Sequence, residues 1–197
     1  GRVYKALDLE VPRLVAIKQI VSLPGMDSAE VAERLKREYY FLNVINHRNL
    51  VKAYDFFAQG DDFFLVLEFL EGISLQEFIA TSPSKLSLQE CLAIANQVSR
   101  AVDILNTAGI VHRDIKPGNI IINREKGTVK LLDLGLGKSL NNDLATITQS
   151  GSIVGTVEYM SPEQVNGGLS ERSDIFALGL TFYQLFSWDK QSAFKAH

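Results

Sequence analysis

Two aliphatic runs, Ile110-Val111 and Ile120-Ile121-Ile122, enclose a polar island, His112-Arg113-Asp114-Ile115-Lys116-Pro117-Gly118-Asn119. Apolar runs bounded by turn residues read as buried strands, so the pattern predicts a short loop held at both ends. A further run at 128–132 ends in a carboxylate, Asp133, followed by Leu134-Gly135. Nearer the start, alternation predicts strands at 1–6 and 14–18 joined by a polar turn, and a second pair at 50–57 and 63–69 turning at 59–62. Between the pairs the period changes. Val31, Leu35, Leu42 and Ile45 form one stripe of a helix over about 29–45 that Asp27 and Ser28 can cap.

Glu38 falls on that stripe, where a carboxylate is costly without a cation beside it. Lys18, on the same strand face as Ala16, is the obvious partner; snorkelling to water is the plain alternative. Further helices are predicted near 75–80 and 88–108, the second with a capping box at Ser87 and Glu90 and a stop at Gly109. The single cysteine, Cys91, shares an apolar face there with Ile94, Val98 and Leu105, which predicts burial. Residues 136–154 are polar and rich in Gly, Ser, Thr and Asn, the composition of a functional or disordered loop. The stretch 174–186 is apolar nearly all round, which predicts a buried central helix with Asp174 as its cap.

Composition changes this picture little. The chain has 197 residues, 46% hydrophobic and 22% charged, with a net charge of −3 that gives no reason to expect nucleic acid. No N-terminal signal pattern and no bilayer-length apolar run is present, so a soluble chain is expected.

The island H-R-D-I-K-P-G-N at 112–119 and the later D-L-G at 133–135 resemble the catalytic loop and metal motif of protein kinases. Val15-Ala16-Ile17-Lys18 is similar to the strand whose lysine holds the α- and β-phosphates of ATP. Aspartates and asparagines in turns often merely cap them, but this order and spacing specify more. The chemistry fits. ATP brings several negative charges and Mg²⁺, so a site must offer hard oxygen ligands, fixed positive charge and an acceptor for the incoming hydroxyl's proton. The resemblance implies Asn119 and Asp133 as ligands of Mg²⁺ or Mn²⁺, Lys116 as charge, Asp114 as acceptor, and a Lys18–Glu38 pair.

The same resemblance makes 68–72 a hinge, with adenine on the backbone of Glu68 and Leu70. Leu67 would close the back of that pocket, Val3, Ala16 and Ile121 would enclose it, and Ser74 would lie near the ribose. Residues 155–163 resemble the end of an activation segment, with Ser161 where alanine is commoner. Thr148 and Ser150 are the implied phosphorylation sites, and Arg113 the guanidinium that would bind the phosphate. His112 and Asp174 would brace the catalytic loop, and Glu163 would pair with an arginine beyond residue 197.

The fold this implies is an α+β, two-lobed kinase fold: a small antiparallel lobe with one helix at 1–70 and a mainly helical large lobe at 71–197. It is expected to be incomplete at both ends, since the chain opens on what looks like the last glycine of a Gly-rich loop. Lys116 together with Gly155-Thr156 resembles serine/threonine kinases, and the phrases Asp-Ile-Lys-Pro-Gly-Asn and Ser-Pro-Glu-Gln look bacterial. The implied partners are ATP and protein substrates, with room for a dimer that phosphorylates itself. Neither nucleic acid nor membrane contact is expected of this stretch, and the expected location is cytoplasmic, with anchoring open to other segments. A pseudokinase binding module is the alternative; Lys18, Glu38, Asp114, Asn119 and Asp133 all being present counts against it.

Overall fold

A computed structural model describes residues 2–21, 28–60, 62–134, 157–168 and 170–189. Strands β1 (Arg2–Asp8) and β2 (Arg13–Val21) form a hairpin whose turn is tied by Asp8 Oδ1, which accepts from the amides of Glu10 and Val11, both at 3.1 Å. Helix α1 (Ser28–Val44) comes next, then β3 (Ala53–Gln59) and β4 (Asp62–Glu68). The sheet is antiparallel in the order β1-β2-β4-β3, and α1 lies against β3 and β4. Three of the four predicted stripe residues are what α1 buries: Val31 and Leu35 pack with Phe63, and Leu42 enters the main core, while Ile45 falls just past the helix and is half-buried.

After β4 come β5 (Ile73–Ser74), α2 (Leu75–Thr81) and α3 (Leu88–Thr107). The α3 capping box between Ser87 and Glu90 is formed as predicted, and Gly109, at φ 71°, ends the helix in the left-handed region glycine favours. Strands β6 (Ile120–Asn123) and β7 (Thr128–Leu131) pair antiparallel and complete a sheet ordered β5-β6-β7. A short helix α4 (Pro162–Val165) and the long α5 (Glu171–Ser187) close the described chain. One core runs from Leu42, Ala53 and Leu65 through Val98 and Ile120 to Leu178 and Leu185, and Cys91 is buried in it. The result is the two-lobed α+β kinase-like architecture.

Four expectations need correction. Residues 50–52 do not begin β3. Instead Leu50 bridges Leu131 in parallel: the Val51 amide donates to Leu131 O (3.0 Å) and the Leu131 amide to Asn49 O (2.8 Å). The open edge of β7 captures a segment whose apolar pattern alone suited either partner. Ile110-Val111 form no strand, because the Ile110 amide is used to close α3 on Leu105 O (2.9 Å). Ser170, not Asp174, takes the N-cap position of α5, its amide donating to Ser173 Oγ (3.4 Å). Nor is α5 buried all round: Ile175, Tyr183 and Phe186 are 59%, 47% and 43% exposed.

Candidate active site

The polar island is a loop anchored from three sides. Asp174, on α5, accepts the His112 amide on Oδ2 (2.7 Å) and the Arg113 amide on Oδ1 (3.0 Å). Burial raises the Asp174 pKa, and these two amides oppose it. Arg113 needs the support: its φ of 71° is unfavourable for any residue with a Cβ. The fully buried His112 ring spans from Leu132 O, 2.8 Å from Nε2, to the Asp114 amide, which donates to Nδ1 (3.3 Å). An amide can only donate, so Nδ1 is the acceptor and Nε2 carries the hydrogen. Burial pushes the imidazole pKa down, in keeping with this neutral ring.

Asn119, in a tight turn at Pro117–Asn119, directs its Nδ2 to Asp114 O (2.8 Å) and Asp114 Oδ2 (2.7 Å). With the nitrogen so committed, the amide oxygen is the end of the group left to accept. Lys116 Nζ lies 3.1 Å from Asp114 Oδ1. The Leu132 amide donates to Asn119 O (2.8 Å), which fixes this turn beside Asp133.

Lys18 stands between two carboxylates. Its Nζ is 2.8 Å from Asp133 Oδ1 and 3.9 Å from Glu38 Oε1. Burial works against the ammonium, but Asp133 and Glu38 outweigh it and hold its pKa above the ordinary lysine value. Glu38 is 2% exposed, and its Oε1 has no hydrogen bond among the described residues. Burial, opposed by Lys18 and aided by the Asp133 charge, pushes its pKa up to about 7. The expected pair is therefore present but loose, with the lysine drawn towards Asp133.

Of the residues expected around adenine, Ala16 faces Leu67 across β2 and β4, and Leu67 is buried. Val3, opposite Lys18 on β1, is 69% exposed; Leu70 and Ile121 are half-buried. Ser74 spends its hydroxyl capping α2, accepting the Glu77 amide at 3.1 Å. The Glu68 carboxylate is engaged by Lys130 Nζ (2.6 Å) and the Lys52 amide (3.4 Å), while Lys130 also donates to Leu50 O (3.2 Å). Sequence reasoning missed this brace and its neighbour, the Lys126–Glu71 ion pair. Both border a cleft of about 550 Å³ that residues 68–71 also line. A lysine on a half-exposed strand carries no mark of such a role.

Thr148 and Ser150 lie outside the described residues. Arg113 Nε is buried with no hydrogen bond among the described residues, and Glu163 Oε1 accepts from Ser173 Oγ (2.9 Å). Among the described residues no cluster of three or more His, Cys, Asp or Glu could hold a metal ion. The amide oxygen of Asn119 and the carboxylate of Asp133 nevertheless fit Mg²⁺, which is commonly held by one or two protein oxygens together with substrate phosphates.

Comparison with known proteins agrees with this geometry. The protein kinase domain model matches residues 1–196, so the chain belongs to the protein kinase family. It is 38% identical over 188 residues to the serine/threonine-protein kinase PrkC of Bacillus subtilis, covering 95% of this chain and 28% of that protein. It is 35% identical over 193 residues to PknA of Mycobacterium tuberculosis, covering 95% and 44%. The crystal structure of Rad53 1–466 in complex with AMP-PNP superposes with a TM-score of 0.70 at 27% identity, covering 93% of this chain and 43% of that one. The chain thus spans less than half the length of these relatives. No described helix is long and apolar enough to cross a membrane.

Proposed function

We propose that the protein transfers the γ-phosphoryl group of ATP to serine or threonine hydroxyls of proteins. The observation that carries this reading is the convergence on Asp114 of Lys116 at 3.1 Å and Asn119 at 2.7 Å, beside an Asp133 held by Lys18 at 2.8 Å. Its relatives' names as serine/threonine kinases support the choice of substrate class.

Asn119 Oδ1 and Asp133 would hold Mg²⁺, which when bound neutralises phosphate charge and aligns the γ-phosphate. Lys18 would leave Asp133 for the α- and β-phosphates. The substrate hydroxyl oxygen attacks the γ-phosphorus, the bond to the β,γ-bridging oxygen breaks, ADP departs, and the hydroxyl proton passes to Asp114. Such proton acceptance is typically worth about 10²–10⁴ in rate, and positioning with charge stabilisation carries the rest. Lys116 offsets charge on the transferred group.

Adenine would lie against Val3, Ala16, Leu67 and Ile121, with backbone bonds at Glu68 and Leu70 and ribose near Ser74. The two lobes divide near residue 70. Control would come from phosphorylation of Thr148 or Ser150, received by Arg113, whose buried Nε supports the assignment. Self-phosphorylation between two copies and a cytoplasmic site, where ATP is at hand, complete the reading. Transfer of labelled phosphate from ATP–Mg²⁺ to a generic protein substrate by the full-length protein tests it; no transfer beside intact nucleotide binding would overturn it.

A further inference from the structure

Gln164 is 3% exposed, a polar side chain in the short helix α4 with both ends of its amide in use. Its Oε1 accepts from the Ser161 amide (3.0 Å) and the Ser161 hydroxyl (3.2 Å), and its own backbone N–H donates to Ser161 Oγ (3.4 Å). This is a capping box, with the side chain at N3 reaching back to the cap. Because a backbone N–H only donates, the oxygen end of the Gln164 amide must face Ser161. The nitrogen end is thereby turned outward. It meets the carbonyl of Arg113 at 3.5 Å.

Arg113 is the residue before Asp114, and its backbone sits at φ 71°. A strained conformation persists only where its surroundings over-determine it. The N–H side is held by Asp174 (3.0 Å). The carbonyl side is where Gln164 arrives. We propose that Gln164 is a positioning residue for Asp114. It fixes the carbonyl of the strained Arg113 unit, so that α4 and the catalytic loop move as one body. This inference rests on Asp114 being the proton acceptor of the proposed reaction.

A cap alone makes a different demand. Glutamate would serve it equally well, since a carboxylate accepts from Ser161 as an amide oxygen does. Only an amide also donates to Arg113 O. Gln164→Glu therefore separates the two roles, and Gln164→Leu removes both.

The test is steady-state phosphate transfer by the full-length protein and both variants at pH 8, with hydrogen–deuterium exchange of residues 112–116 and of α3. In Gln164→Glu, kcat is expected to fall roughly ten-fold, the scale of a small misplacement of a reacting group, with KM for ATP within about two-fold. Exchange of 112–116 rises and that of α3 stays as in the wild type. Gln164→Leu shows the same or a larger fall. Unchanged kcat and unchanged exchange in Gln164→Glu would reduce Gln164 to a cap and overturn the proposal. So would a fall in kcat accompanied by faster exchange throughout α3, which signals lost stability. Should the wild type transfer no phosphate, the functional reading fails separately, and the exchange data still decide whether Gln164 holds the loop.

Discussion

Lys18 Nζ lies 2.8 Å from Asp133 Oδ1, so strand β2 is tied directly to the segment that follows β7. Glu38 stands 3.9 Å away on the other side of the same ammonium. One cation thus serves two carboxylates, and the more buried of the two is the less well paired. Drawing Lys18 towards phosphate would leave Asp133 open to a metal while Glu38 keeps the lysine aligned.

The Glu38 carboxyl therefore makes both stability and activity depend on pH. Its pKa rises from 4.5 to about 7 on folding, so the folded state holds a proton that the unfolded state has lost. Stability contributed by this group falls as pH rises from about 4.5 to 7, by an amount of the order of 3 kcal/mol, and is level above. Glu38→Gln should be more stable than the wild type at pH 8, with the gain vanishing near pH 4.5. Phosphate transfer should run the other way: wild-type activity rises from pH 6 to 8 as Glu38 ionises, and the variant is slower and nearly flat. Thermal denaturation and rate measurements at matched pH check both.

The Lys130–Glu68 ion pair predicts a measurable coupling. Lys130 and Glu68 meet at 2.6 Å, yet both side chains are partly exposed, so solvent screening limits the pair to about 0.5–1 kcal/mol. A double-mutant cycle of Lys130→Met and Glu68→Gln, read by chemical denaturation, should return that coupling and lose most of it in 1 M salt. Additive effects would show that the two residues do not act together.

Much of the site was legible because its chemistry constrains close neighbours in sequence. Asp114, Lys116 and Asn119 sit within one loop, and Glu38 betrayed itself as a carboxylate on an apolar stripe. Contacts made at a distance left no such trace. The apolar pattern of 50–52 suits a strand in either sheet, and only the open edge of β7 decides. Asp174 read as a helix cap from its position alone, and only the family resemblance pointed to the loop 61 and 62 residues away whose amides it accepts. Nothing in the sequence singled out Gln164, whose amide caps α4 through Ser161 and reaches Arg113 with its other end.

Asn49 is the test of that unexpected docking. It is buried, donating to Gln97 Oε1 (2.9 Å) on α3 and to Val129 O (2.8 Å) on β7, so it pins the segment after α1 to these two elements. Asn49→Ala leaves a buried carbonyl short of its donor and should cost about 1–3 kcal/mol in stability. Since that segment begins just past the end of α1, the variant should also lose phosphate-transfer rate beyond what unfolding explains. A loss under about 0.5 kcal/mol by denaturant titration would show that the docking is incidental.

The most direct test of the central claim is transfer of labelled γ-phosphate from ATP–Mg²⁺ by the full-length protein beside its Asp114→Asn variant, with the modified residues mapped. An autophosphorylating serine/threonine kinase puts label on Thr148 or Ser150, and the variant, still binding ATP, loses at least about 10²-fold in rate. Equal labelling by the two proteins, or none by the wild type while it binds ATP, would contradict the assignment of Asp114 and of the reaction.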